Sequence, residues 1–113
     1  MFAVIYQWRV HPEKRDDFET GWRLVSEAVM ERFGSLGSRL HLAEDGTYLS
    51  YGRWYVPEDR LPYRQHLDFH PEGWRLMQSA VLEEYPEIRM TLVGDLLKEP
   101  PDSLPGPARR PAP

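Results

Sequence analysis

Hydrophobic residues alternate at the start of the chain. Phe2, Val4, Tyr6, Trp8 and Val10 fall on one side, and Ala3, Ile5, Gln7 and Arg9 on the other. Period two with aromatic and β-branched residues predicts a strand over this stretch. The period then changes. Phe18, Trp22, Val25, Val29 and Phe33 recur at steps of three and four, which places them on one face of a helix. Pro12 suits the first helical turn and Glu13 complements the positive end of the helix dipole. Gly34 supplies the stop, because glycine reaches the left-handed cap conformation at no steric cost.

Asp45-Gly46 between two strand-like runs predicts a two-residue hairpin turn. Glu44 then opposes Thr47, Leu42 opposes Leu49 and Leu40 opposes Tyr51. That register gathers Leu40, Leu42, Leu49, Tyr51 and Arg53 on one side, and Arg39, His41, Tyr48, Ser50 and Trp54 on the other. The more apolar first side is expected to meet the helices. Pro57 to Tyr85 reads as helix in pieces, interrupted by Pro62 and Pro71. Its longer piece would bury Trp74, Met77, Val81 and Tyr85 and end at Pro86. Met90, Leu92, Val93, Leu96 and Leu97 suggest a last strand. The order β-α-β-β-α-β predicts an α+β, ferredoxin-like split βαβ fold, a four-stranded antiparallel sheet with both helices on one face. Tyr48 and Trp54, with either Tyr6 and Trp8 or Ile5 and Ala3, would then lie on a face that no helix covers. An uncovered aromatic patch of this kind predicts a two-fold homodimer.

Eleven residues occur twice. Gly21 to Glu31 returns as Gly73 to Glu83, with seven positions identical at a spacing of 52. Val10-His11-Pro12-Glu13 before the first copy and Val56-Pro57-Glu58 before the second extend the match. Two similar halves are the natural reading, and the shared Gly-Trp-Arg-Leu argues against chance.

Composition narrows the possibilities. Residues 1–98 can form one domain, whereas 99–113 form a proline-rich tail. Pro100 to Pro113 holds six of the eleven prolines and almost no large apolar side chains, so the tail is expected to be flexible. Without Pro100 to Pro113 the chain carries seventeen acids against twelve Lys and Arg, which argues against a nucleic-acid partner. Cysteine is absent, which removes disulfides and thiolate chemistry. No apolar run approaches a membrane span and no signal peptide is evident, so a soluble cytoplasmic protein is expected.

In these features the chain resembles the antibiotic biosynthesis monooxygenase (ABM) family of the dimeric α/β-barrel superfamily. The resemblance runs from Phe2 to about Leu97. It rests on the strand Phe2 to Val10, the Pro-Glu helix start, the Asp-Gly hairpin, Tyr51-Gly52-Arg53-Trp54 and the kinked second helix. It implies two sheets pairing across a dimer, with a ligand cavity in each subunit between sheet and helices. It also implies a cofactor-free oxygenase converting phenolic or anthrone-like rings to quinones, with a haem-degrading protein as a further possibility. A carbanion of such a ring can itself reduce oxygen, so the protein need supply only a base, oxyanion donors and flat apolar walls.

Histidine is the natural base. On the family's pattern His66 and His70 lie near the cavity mouth, although each could equally be a solvated or structural side chain. Arg53 could steady an anion or pair with Glu58 or Asp59, and Gln7 could orient a substrate oxygen. Trp22, Tyr51, Tyr63 and Trp74 are candidate substrate walls, with plain core packing the alternative for the tryptophans. His66 and His70 also stand i, i+4, as metal ligands on one helical face would. Pro71 follows directly and no flanking carboxylate lies on the same face, so neither metal nor other cofactor is expected. Haem-degrading relatives carry asparagine and tryptophan where this chain has Gln7 and about Tyr63, which disfavours haem oxidation. Two readings therefore stand: an oxygenase for a small aromatic substrate, and a non-catalytic homodimer that binds a small molecule.

Overall fold

The computed structural model describes residues 1–66 and 69–98; the proline-rich 99–113 lies outside the described residues. Strand β1 (Phe2–Val10) leads through a 3₁₀ turn at Pro12–Lys14 into helix α1 (Arg15–Phe33), which ends at Gly34 with φ 75°. Strands β2 (Ser38–Leu42) and β3 (Tyr48–Trp54) form the hairpin. A second 3₁₀ turn (Pro57–Arg60), a short helix α2 (Leu61–Gln65) and helix α3 (Pro71–Ala80) follow, then β4 (Val81–Glu84) and β5 (Ile88–Thr91). The sheet order is β2-β3-β1-β4, with β5 also paired to β1 and every pairing antiparallel. This is the α+β ferredoxin-like fold expected, with α1 and α3 side by side on one face.

The hairpin differs from expectation by one residue. Ala43 and Thr47 close it: Ala43 N donates to the Thr47 carbonyl at 2.8 Å and Gly46 N to the Ala43 carbonyl at 3.0 Å. Three residues therefore make the loop, and Gly46 takes φ 90°, the left-handed bulge position such loops need. Asp45 Oδ1 fixes the turn by accepting from Thr47 N and Oγ1 at 3.0 and 2.7 Å. Leu42 now opposes Tyr48, and Leu40 opposes Ser50. Because side chains alternate, the slip turns all of β3 over. Tyr48, Ser50, Gly52 and Trp54 are buried beneath the helices, while Leu49, Tyr51 and Arg53 face away.

The end of the chain also departs from the helical reading. Helix α3 stops at Ala80, and Val81 is already extended at φ −80°, ψ 128°. Val81 and Tyr85 fit a helical face by spacing, but β1 presents an open edge that a strand can satisfy along its whole length. β4 pairs with Trp8 to Val10 and β5 with Phe2 to Ile5, so the fourth strand exists in two pieces either side of Pro86, which has no N–H to donate. Pairing ends where Leu92 N donates to the Met1 carbonyl at 2.9 Å. Leu92 to Leu97 form no strand, and Val93 and Leu96 are fully exposed.

The core lies between the helices and the inward face of the sheet. Val4, Phe18 and Tyr48 are completely enclosed there. Phe18 packs edgewise on Trp8, with centroids 5.2 Å apart, and tilts against Tyr48 at 4.9 Å. Among the described residues no helix is long and apolar enough to cross a membrane.

Candidate functional site

The core is not solid throughout. A cavity of about 360 Å³ lies between α1, α3 and the inward face of β1 and β3. All four tryptophans line it, joined by Tyr6 and Tyr63. Strand alternation sends Tyr6, Trp8 and Trp54 inward from the sheet, and helical spacing brings Trp22 and Trp74 down from above. The Trp22 Nε1–H donates to Ser50 Oγ at 2.9 Å, which ties the α1 indole to the sheet. Trp54 stacks on Tyr63 with centroids 6.0 Å apart, and Tyr6 stacks on Trp8 at 5.9 Å. Flat, rigid walls of this kind suit a planar aromatic guest.

Polar groups are few and placed around the aromatic walls. Ser26, Ser35, Ser38 and Gln78 offer uncharged donors and acceptors, and Glu84 brings a carboxylate from β4. Arg64 of α2 lies at the rim, its guanidinium 5.6 Å from the Tyr63 ring centre. The Trp74 Nε1–H is buried and has no partner among the described residues.

A charged cluster backs one wall. Arg60 is 7% exposed and donates to the Tyr6 hydroxyl through Nε at 3.2 Å and Nη2 at 2.8 Å. The same Nη2 pairs with Glu87 Oε2 at 2.7 Å. Burial pushes the Tyr6 phenol up to about 12, with nearby Tyr63 adding to the effect and Arg60 opposing it. Burial alone would lower the Arg60 guanidinium, but its bonds to Glu87 and Tyr6 outweigh that and raise it. Tyr6 is therefore a neutral phenol, and hence a donor, throughout the ordinary pH range.

The structure brings Trp22, Tyr63 and Trp74 together at the cavity. It does not bring the other candidates there. Tyr51 and Arg53 are on the outward face because of the hairpin slip, and Arg53 pairs with neither Glu58 nor Asp59 among the described ion pairs. Gln7 also faces outward, 3.5 Å from Thr47 Oγ1. His66 is exposed at the end of α2. His70 instead caps α3, its Nδ1 accepting from Gly73 N at 3.0 Å. The two histidines thus belong to separate helices, His66 closing α2 and His70 opening α3, and do not share a helical face. Among the described residues no histidine lines the cavity. Tyr6, Ser50 and Glu84 were missed as site residues. The alternation that paired Tyr6 with Trp8 was a usable signal for the first, but nothing local marked Glu84 as facing inward.

No family model matches the sequence, and no curated protein matches it. Solved structures do. A suspected antibiotic biosynthesis monooxygenase from Bordetella bronchiseptica superposes with a TM-score of 0.69 at 23% identity, covering 81% of this chain and 96% of that one. SnoaB, a cofactor-independent oxygenase from Streptomyces nogalater, superposes with a TM-score of 0.70 at 13% identity, covering 86% and 97%. A suspected antibiotic biosynthesis monooxygenase from Chloroflexus aurantiacus gives 0.64 at 16% identity, covering 83% and 94%. Across most of its length the chain has the same ferredoxin-like fold as these antibiotic biosynthesis monooxygenase structures.

Proposed function

We propose that the chain acts on a flat aromatic molecule in the tryptophan-lined cavity, as an oxygenase that needs no metal or flavin. The observation that carries this reading is the cavity itself, about 360 Å³ of space walled by six aromatic side chains. Its volume suits a ligand of two or three fused rings. The shared fold with SnoaB, described as a cofactor-independent oxygenase, supports the reaction type. An anthrone-type ring loses a proton to become a carbanion, which transfers electrons to dioxygen. One oxygen ends as the ring carbonyl and the other leaves as water. Glu84, the carboxylate on the cavity wall, takes the part of base that the sequence suggested for His66 and His70. Gln7 and Arg53, facing away, take no part in it.

Oxygen uptake with anthrone and 1,8-dihydroxyanthrone, corrected for spontaneous oxidation, tests this. The full chain is expected to accelerate uptake, and Glu84→Gln to lower kcat by about 100-fold, the usual weight of a general base. Uptake at the buffer rate would remove the oxygenase reading. The absence of histidine from the described cavity wall favours a second reading, a non-catalytic binding site. Thermal stabilisation by these ligands without oxygen uptake would select it.

We also infer that the outward sheet face pairs with a second copy. The slip of β3 changes its composition: Ala3, Ile5, Leu49, Tyr51 and Ile88 now occupy it in place of Tyr48 and Trp54. Ile88 is exposed, and the apolar Leu92 to Leu97 run beyond β1 offers further surface to cover. Sedimentation at micromolar concentration is expected to give twice the chain mass, and Ile5→Asp to give single chains. A wild-type monomer would refute the pairing.

A further inference from the structure

One wall residue of the cavity, Tyr6 on strand β1, carries a hydroxyl that accepts from a buried cation. A phenol has two lone pairs and one hydrogen. Both Arg60 nitrogens that reach Tyr6 are donors, at 3.2 and 2.8 Å, so the lone pairs of that hydroxyl are occupied. The hydroxyl hydrogen has no acceptor among the described residues, although the side chain lines the cavity. A hydroxyl that accepts from a cation becomes a stronger donor, because its oxygen is drained of charge. Glu87 accepts at 2.7 Å from the same Nη2 that reaches Tyr6, and Arg60 is almost wholly enclosed. The chain Glu87–Arg60–Tyr6 therefore runs from the β4–β5 link to the cavity wall.

From this the geometry points to Tyr6 as the oxygen-recognising subsite of the cavity, selecting planar aromatic rings that carry a carbonyl or phenolate oxygen over the bare hydrocarbon. Arg60 and Glu87 are positioning residues that act through it. The inference rests on the cavity being a ligand site, as proposed above. It adds what the stacked walls alone cannot give, since aromatic stacking accepts any flat ring whereas a polarised hydroxyl favours one that offers an acceptor. The phenol stays protonated to about pH 12, so its preference for an oxygen acceptor is the same across neutral and mildly alkaline pH.

Calorimetric titration of the full chain with 1,4-naphthoquinone and with naphthalene tests this. The quinone sets two carbonyl oxygens on the same flat two-ring skeleton, and the protein has no thiol for it to alkylate. Wild type is expected to bind the quinone at least about ten-fold more tightly, and Tyr6→Phe to abolish the preference while leaving naphthalene unchanged. Binding of neither compound would refute the cavity as a ligand site. Equal binding of both by wild type, or equal loss of both in Tyr6→Phe, would overturn the Tyr6 assignment and leave the cavity reading intact. Should Tyr6→Phe not fold, Glu87→Gln decides, since Glu87 is only half-buried. Without its carboxylate the guanidinium polarises Tyr6 more strongly, so quinone affinity is expected to rise about three-fold with naphthalene unchanged. No change, or the same change for both ligands, would overturn the assignment.

Discussion

Replacing Gly21 with alanine is expected to destabilise the protein by about 2 kcal/mol or more, although alanine is the better helix former. The gain in helix propensity is about 1 kcal/mol. Against it, a Cβ at Gly21 would meet the Gly73 carbonyl oxygen at 2.6 Å and Met77 N at 2.8 Å. Both are backbone atoms of α3, so no side-chain rotation relieves the clash and the helices must separate. Overpacking of this kind costs about 1–3 kcal/mol or more, and the immobile partners place it at the upper end. Val25 and Met77, both buried, would lose contact as the helices part, and the cavity between them would change shape. Gly73→Ala is expected to cost less, because its nearest neighbour is a side-chain atom, Val25 Cγ2 at 2.9 Å. Urea midpoints of the two variants check the order. A Gly21→Ala protein as stable as wild type would show that α1 and α3 do not approach this closely.

The crossing explains what the duplicated segment does. Gly21 and Gly73 lie against each other where the two helices meet, and the tryptophan after each lines the cavity. The repeat was plain in the sequence, because seven identities in eleven positions need no structure to be seen. Its meaning was not, since only the packing reveals that each glycine makes room for the other helix.

The fold was legible for a related reason: strand, helix, hairpin and helix each carry a strong period. The site was less so, and one turn accounts for much of the loss. Both faces of the β2–β3 hairpin have apolar residues, Leu49 and Tyr51 on one, Tyr48 and Trp54 on the other. The pattern could therefore not choose between them, and loop length did. The left-handed Gly46 adds one residue to the turn, which sends Ser50 and Trp54 to the cavity and Tyr51 and Arg53 out of it. His66 and His70 failed to reach the cavity for a different cause. Titration range makes histidine a suitable base, whereas position is decided by the helix ends, and His70 is occupied in capping one. Val81 to Tyr85 satisfied a helical period and a strand period alike, so only the open edge of β1 could decide.

The second large effect is expected in alkali, where the protein should lose stability steeply between pH 10 and pH 12. Tyr6 and Tyr48 are both pushed up to about 12, in each case first by burial. Tyr48 is 1% exposed and donates its proton to the Glu19 carboxylate, so ionising it would set two negative charges face to face. In the unfolded chain both phenols titrate near 10. Below that pH both states hold their protons and the tyrosines contribute no pH dependence. Above it the unfolded chain releases protons that the native state still binds, so stability falls until the native phenols titrate as well. Two pH units correspond to about 3 kcal/mol per tyrosine, so the two together lower stability on the order of 5 kcal/mol by pH 12. Absorbance of tyrosinate should show two late-ionising groups, their appearance coinciding with loss of helical circular dichroism. Tyr48→Phe should remove about half of the pH dependence. If Tyr6 and Tyr48 ionise near pH 10 with the fold intact, the burial that sets them apart is wrong. Quinone affinity supplies a separate readout, because a donor lost by ionisation differs from a site lost by unfolding. Affinity that falls in step with circular dichroism, and not before it, is the result expected if Tyr6 keeps its proton for as long as the cavity stands.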